Sequence, residues 1–379
     1  MTDDQRDIAP QIERVRANFQ AVQAEMSKVI VGQEDAMERL LVSVLAGGHV
    51  LLTGMPGLGR TLLVKTLATV LGLSYNRIQF TPDLLPSDIL GAEVLESVHN
   101  GRHFRFFKGP VFCNLLLADE VNRSPARTQA ALLEAMHERQ VTAGGQTYWL
   151  PQPFIVVATR NSIETDGVWR MPEAQLDRFL AAIELGYLGE DDEVELLRRT
   201  TGGLRIEVRK VLEPQDILEM QNIATAVPVT PAIKHFALEI VRASRPELSA
   251  KDSAADDETQ AGATAGLLDM LRPSVRGSAG PAADIRLGAS PRAAQAILRG
   301  AKVLAIVRGR CHVSCEDVVT MAYPVMEHRL MLDLRATSRG LLPRHVVDTL
   351  VQAARRHRLP AEVYRGGLNN ILRKPNYAN

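Results

Sequence analysis

Gly54-Met55-Pro56-Gly57-Leu58-Gly59-Arg60-Thr61 lies between an apolar run, His49-Val50-Leu51-Leu52-Thr53, and a helix-forming run over residues 61–71. Buried strand, glycine-rich turn and helix, in that order, form the context a phosphate-binding loop requires. Glycines let the backbone curl so that successive N–H groups point inward at phosphate oxygens. The positive end of the following helix adds to the same attraction. Gly54, Pro56, Gly57, Leu58, Gly59, Arg60, Thr61 and Leu62 are therefore candidate nucleotide contacts, with the Thr61 hydroxyl placed for Mg²⁺. One position departs from the usual pattern: Arg60 stands where a lysine is expected. Lysine is a compact point charge and arginine a planar fork, so the charge is kept and its geometry changes.

A phosphate loop alone fixes only nucleotide binding. Further along, Leu115-Leu116-Leu117-Ala118-Asp119-Glu120 ends an apolar strand with two carboxylates. By itself such a pair reads as a solvated turn. On a strand parallel to the loop-bearing one, both carboxylates reach the sheet edge where such folds bind ligand. Asp119 is then the candidate Mg²⁺ ligand together with Thr61, since this ion takes few carboxylates and keeps its waters. Glu120 is the candidate general base for the attacking water. Ala158-Thr159-Arg160-Asn161 ends a third apolar run with an amide suited to orienting that water, or to forming a simple turn. Pro172-Glu173-Ala174-Gln175-Leu176-Asp177-Arg178-Phe179 puts Arg178 just before a further strand. There it either pairs with Asp177 or projects into a neighbouring subunit's nucleotide as an arginine finger.

Lys+Arg and Asp+Glu balance at 44 each, which argues against a global field for nucleic acid or an anionic membrane. Three cysteines (Cys113, Cys311, Cys315) fit a reducing cytoplasm. Cys311 and Cys315 lack a second pair at zinc-site spacing and read as ordinary lid cysteines. The charged first residues do not resemble a signal peptide, and no apolar run reaches membrane-spanning length. A cytoplasmic protein with no direct membrane insertion is expected.

Helical spacing of Ile12, Val15, Phe19, Val22 and Met26 predicts a helix over 8–28, and a second is expected over 34–45. Strands are expected over 75–80, 112–118, 154–159 and 179–184, and a helix from Ser124-Pro125, with the serine at the cap, to about Glu138. Hairpins are expected over 94–107, turning at His99-Asn100-Gly101, and over 140–150, turning at Gly144-Gly145. Strands alternating with helices imply a parallel sheet covered on both faces. After Gly186 only helices are expected, over 191–200, 214–224, 231–244, 290–307 and 343–356. Residues 246–284, rich in Ala, Gly, Ser and Asp, read as a flexible insertion, with 267–271 as a short helix or docking segment inside it. The divisions are an N-terminal helix (1–28), an α/β core (29–188), a helical lid (189–356) and a tail (357–379).

The phosphate loop, the Leu115–Glu120 and Ala158–Asn161 strand ends, Asn122-Arg123, Leu132-Leu133-Glu134-Ala135-Met136 and the 172–179 segment closely resemble the MoxR family of AAA+ ATPases. So do Gln79-Phe80-Thr81-Pro82-Asp83-Leu84-Leu85-Pro86-Ser87-Asp88 and Gly288-Ala289-Ser290-Pro291-Arg292-Ala293. The resemblance spans residues 25–350. It implies a P-loop core with a five-stranded parallel sheet, an all-helical lid, and a hexameric ring with ATP and Mg²⁺ at subunit interfaces. It makes Asn161 the sensor-1 residue, Arg178 the arginine finger, Arg292 the sensor-2 arginine reaching the nucleotide from the lid, and Arg123 a further interface residue. Ile30-Val31-Gly32-Gln33 would line the adenine pocket, and the two hairpins would face the pore or a partner. Family members are regarded as chaperones that assemble or activate partners, often proteins with von Willebrand factor A domains.

Besides Arg60, the sequence departs from the family at Arg160-Asn161-Ser162, where Gln-Asn-Pro is usual. Asp119, Glu120, Asn161, Arg178 and Arg292 are all retained. A slow but active ATPase is therefore expected in preference to a nucleotide-switched scaffold without turnover. A nucleic-acid motor would carry a basic stripe with aromatics. Lys and Arg here are mixed with acids, and Arg355-Arg356-His357-Arg358 reads as the cationic end of a helix.

Overall fold

The computed structural model describes residues 3–98, 101–160, 169, 171–202, 206–246, 282 and 284–358. Asn161, most of the 246–284 segment and the tail from 359 lie outside these residues. Helices α1 (Asp3–Met26) and α2 (Glu34–Leu45) lead into β1 (Val50–Gly54) and α3 (Arg60–Val70). Next come β2 (Tyr75–Gln79), α4 (Pro86–Leu90) and a hairpin of β3 (Gly91–Val98) and β4 (Gly101–Lys108). β5 (Leu115–Asp119) and α5 (Ala126–Glu138) precede a second hairpin, β6 (Gln140–Ala143) and β7 (Gln146–Trp149). β8 (Ile155–Thr159), α6 (Glu173–Leu176) and β9 (Ala181–Leu185) complete the core.

β1, β2, β5, β8 and β9 form one five-stranded sheet in the order β2-β5-β8-β1-β9, and every pairing is parallel. β5 and β8 are buried along their whole length, as strands covered by helices on both faces must be. Successive side chains point to opposite faces of a strand. Leu115, Leu117 and Val157 accordingly join the apolar cluster under α1, α2 and α3. Leu116, Ala118, Val156 and Ala158 join the one under α5. Because the strands run the same way, Gly54, Asp119 and Thr159 all emerge at one edge.

The lid comprises α7 (Glu190–Thr201), α8 (Pro214–Ala226), α9 (Pro231–Ala243), β10 (Ile285–Leu287), α10 (Pro291–Val307), α11 (Cys315–Met326), β11 (Met331–Leu332), α12 (Leu334–Ser338) and α13 (Pro343–Arg358). Helix α1 seals it to the core with its five predicted apolar positions, all buried in the same cluster as lid residues Ile297 and Leu304.

Two expectations are corrected. The lid is not free of strands: β10 and β11 pair antiparallel, in pieces too short to carry an alternating pattern. Ser124 does not cap α5. Its hydroxyl donates to the Val121 carbonyl at 3.3 Å inside the core, leaving Pro125 at the cap. Among the described residues, no helix is long and apolar enough to cross a membrane, and no three or more His, Cys, Asp or Glu side chains group as metal ligands.

Candidate functional site

The phosphate loop joins β1 to α3. Gly57 and Gly59 have φ of +88° and +77°, a region that side-chain-bearing residues avoid. A Cβ at either position would meet nothing within 4 Å. The loop thus faces open space, and its glycines are needed for conformation rather than for room. Beside it opens a cavity of about 380 Å³ lined by Ile30, Val31, Gly57, Leu58, Leu62 and Leu197, among others. An apolar slot against a curled glycine backbone fits a nucleobase joined to phosphates. Gln33 Nε2 donates to the Gly186 carbonyl at 3.0 Å, tying the 30–33 segment to the end of β9. Gly32 also has a positive φ, +67°, and a Cβ there would run into Asp192 and Leu188, so the segment is closed over by the start of the lid. Arg60 is only 8% exposed. Its Nη1 reaches the Arg160 carbonyl at 3.4 Å, which lays the guanidinium between the loop and the end of β8.

The two carboxylates stand at the same edge, each held by residues distant in sequence. Asp119 Oδ1 accepts the Thr159 hydroxyl at 2.6 Å, and Oδ2 accepts Arg77 Nη2 at 2.6 Å and Nε at 3.2 Å. Glu120 adopts φ 55°, ψ 47°, a left-handed conformation that costs a residue of this kind about 1–2 kcal/mol. Its N–H donates to Thr159 Oγ1 at 2.8 Å. Its Oε2 accepts Gln79 Nε2 at 2.8 Å and Arg123 Nη1 at 3.0 Å. Arg77 and Gln79, two apart on edge strand β2, share a face and take one carboxylate each. Sequence reasoning missed Arg77, Gln79 and Thr159 in these roles. The polar alternation Arg77-Ile78-Gln79 was the available signal, and it does not say what it faces.

Asn161 lies outside the described residues, while Arg178 and Arg292 gather at the opposite edge, where the strands begin. Arg178 Nη1 donates to the Leu133 carbonyl at 2.5 Å. Arg292, at the start of α10, lies 3.6 Å from Asp177 Oδ2. Arg292 therefore does not reach its own chain's phosphate loop: α10 approaches the core beneath β1, where Arg299 donates to the Gly47 carbonyl at 2.8 Å. A cavity of about 230 Å³ there is lined by Arg139, Arg178, Arg292, Arg299 and Arg329, with Asp177 the single carboxylate in its wall among the described residues. Next to it, buried His49 accepts from Val156 N–H at 3.0 Å through Nδ1 and faces the Met136 carbonyl at 3.2 Å through Nε2. Burial pushes its pKa down to about 4, so the ring is neutral, with its proton on Nε2.

Residues 49–181 match the family model for the ATPase family associated with various cellular activities (AAA), and residues 281–350 match the AAA lid domain. The protein named Chaperone MoxR1 from Mycobacterium tuberculosis is 40% identical over 329 residues, 86% of this chain and 79% of its own length. Protein MoxR from Paracoccus denitrificans is 32% identical over 328 residues, 83% of this chain and 89% of its own. The crystal structure of a candidate ATPase from Cytophaga hutchinsonii superposes with a TM-score of 0.77 at 38% identity, covering 92% of this chain and 98% of that one. With the sheet order, the open glycine loop and the lid in place, this chain belongs to the MoxR family of AAA+ ATPases.

Proposed function

We propose that the chain binds ATP with Mg²⁺ and hydrolyses it at the interfaces of a ring of its own copies, acting as a chaperone on protein clients. The observation that carries this reading is the split of the site across the sheet. The glycine loop and the Asp119–Glu120 pair lie at one edge, and the arginine-lined cavity with Arg178 lies at the other. A chain built this way completes its own site only with a second copy.

In this reading the amides of residues 55–61 hold the phosphates, and Val31, Gly32 and Leu62 flank the base. Thr61 and Asp119 would hold Mg²⁺, which supplies positive charge against the β- and γ-phosphates when bound. Arg77 and Thr159 fix the Asp119 carboxylate. Glu120 takes a proton from the attacking water, oriented by Gln79 and Arg123 on one side and by Asn161 as sensor. Arg178 of a neighbouring copy stabilises the charge on the transferring phosphoryl group, a contribution worth roughly 10³–10⁵ in rate. Arg292, beside it, serves that same neighbouring site.

A client surface is supported by the two hairpins. Phe104 is 73% and Trp149 71% exposed, while Phe106 and Tyr148 stack at 4.4 Å and lock the hairpins together. Exposed aromatics on a braced platform suit protein recognition. A hexamer, and a client with a von Willebrand factor A domain, follow from the family resemblance.

The test is steady-state phosphate release from the assembled protein with ATP and Mg²⁺, compared with Glu120→Gln. Release that falls to background in the variant supports hydrolysis. Equal background release from both leaves a nucleotide-switched scaffold, the reading favoured by Arg60 and its hold on the Arg160 carbonyl.

A further inference from the structure

We propose that Arg329, in the lid, is the positioning residue for Arg178 and thereby sets turnover at the neighbouring copy's site. This rests on the reading that Arg178 acts across the subunit interface.

Arg329 follows α11 and is 7% exposed. A guanidinium carries five N–H groups in a rigid fork, and here each has an acceptor. Nε donates to Asp177 Oδ1 at 2.8 Å. Nη2 donates to the Asp177 carbonyl at 3.1 Å and to the Phe179 carbonyl at 2.5 Å. Nη1 donates to the Leu180 carbonyl at 3.2 Å and to the Val325 carbonyl at 2.5 Å. The gripped carbonyls of Asp177 and Phe179 bracket Arg178 in the chain. One lid side chain therefore holds the backbone on both sides of the interface arginine.

The grip has a second strand of support. Asp177 Oδ2 accepts the Ser290 hydroxyl at 2.8 Å, and Ser290 caps α10. His328 Nε2, on the turn before Arg329, faces the Phe179 carbonyl at 3.3 Å, and burial keeps that ring uncharged. The segment carrying Arg178 is thus moored to the lid at two helix ends, while Leu176 and Phe179 pack in the core and the Arg178 guanidinium itself reaches the Leu133 carbonyl. A fully satisfied, buried guanidinium is unsuited to binding a ligand and well suited to fixing a backbone, since Arg loses little freedom per bond formed. A displacement of about 1 Å in a catalytic group can cost on the order of 10²-fold in rate. Arg329 guards against a displacement of that kind, and it makes one copy's lid part of the next copy's site.

Mixed assemblies test this. Arg329→Gln alone is expected to bind ATP within about 2-fold of the wild type and to turn over roughly 10²-fold more slowly. A Glu120→Gln copy has a silent site but an intact Arg329 and Arg178. Mixing equal amounts of the two inactive variants should raise phosphate release several-fold above the sum of the separate proteins, because junctions form in which a well-placed Arg178 meets an intact site. Loss of lid packing alone would not be repaired by mixing.

Arg178→Ala mixed with Glu120→Gln is the control. Recovery in the control without recovery for Arg329→Gln overturns the proposal for Arg329. No recovery in either mixture overturns the cross-interface reading, and this inference falls with it. Should Arg329→Gln not fold, Arg329→Lys keeps the charge with fewer donors. Its turnover should fall and recover on mixing in the same way, and wild-type turnover in Arg329→Lys would overturn the proposal.

Discussion

Thr159 is the least conspicuous member of the site and the sharpest place to perturb it. Its side chain is fully buried. It donates to Asp119 Oδ1 at 2.6 Å and accepts the Glu120 N–H at 2.8 Å. Thr159→Val preserves shape and deletes both bonds. A hydrogen bond to a charged group is worth about 1.5–3 kcal/mol net, and a buried N–H left without a partner costs about 1–3 kcal/mol. The sum centres near 4 kcal/mol; with partial relaxation, a loss of about 3 kcal/mol is expected. Glu120 is also held in a left-handed conformation worth about 1–2 kcal/mol of strain, and its amide anchor is this hydroxyl. Released, the residue relaxes and carries its carboxylate off the line of attack, so phosphate release should fall on the order of 10²-fold. Thr159→Ser keeps the hydroxyl and loses one methyl, about 1 kcal/mol, and should retain turnover within a few-fold. Urea midpoints followed by circular dichroism, with phosphate release on the same samples, measure both effects. If Thr159→Val matches Thr159→Ser in stability and rate, the assigned role of the hydroxyl bridge is wrong.

Two further outcomes are expected. Arg60→Lys replaces a fork tied to the Arg160 carbonyl with a mobile point charge. Turnover at saturating ATP should rise several-fold, and an unchanged rate would mean that the loop has adapted to arginine. His49 has a pKa pushed down to about 4 by burial, against about 6.5 in an unfolded chain. The unfolded state therefore binds more protons below pH 6.5. The contribution of His49, about 3 kcal/mol, is complete above that pH and is lost as pH falls toward 4. His49→Gln keeps one donor and one acceptor without the titration. It should flatten the decline in the urea midpoint between pH 6.5 and 4, and an unchanged slope would assign the decline to other groups.

Much of this molecule was legible from local patterns. The glycine loop, the apolar strands ending in Asp119 and Thr159 and the helical spacing of α1 depend on residues close together in the chain, where backbone preference and periodicity act directly. The five predicted apolar positions of α1 are all buried; both expected hairpins pair, the second turning at Gly144-Gly145 as expected, while His99 and Asn100 of the first lie outside the described residues. The β10–β11 pair escaped because its pieces are too short to show a period.

What no local pattern contains is which side chain meets which across the fold. Arg77 reaches Asp119 over 42 residues, and Thr159 reaches it over 40, because strand order places β2 and β8 on either side of β5. Arg329 reaches Asp177 over 152 residues, because the lid closes beneath the sheet. Arg292 goes to that same lower edge and not to its own phosphate loop for the same reason. The sequence by itself determined most of the elements, the chemistry at the strand ends and the family. Tertiary packing alone decided how the carboxylates are held and where the arginines gather, since a partner chosen through space leaves no spacing in the chain to read.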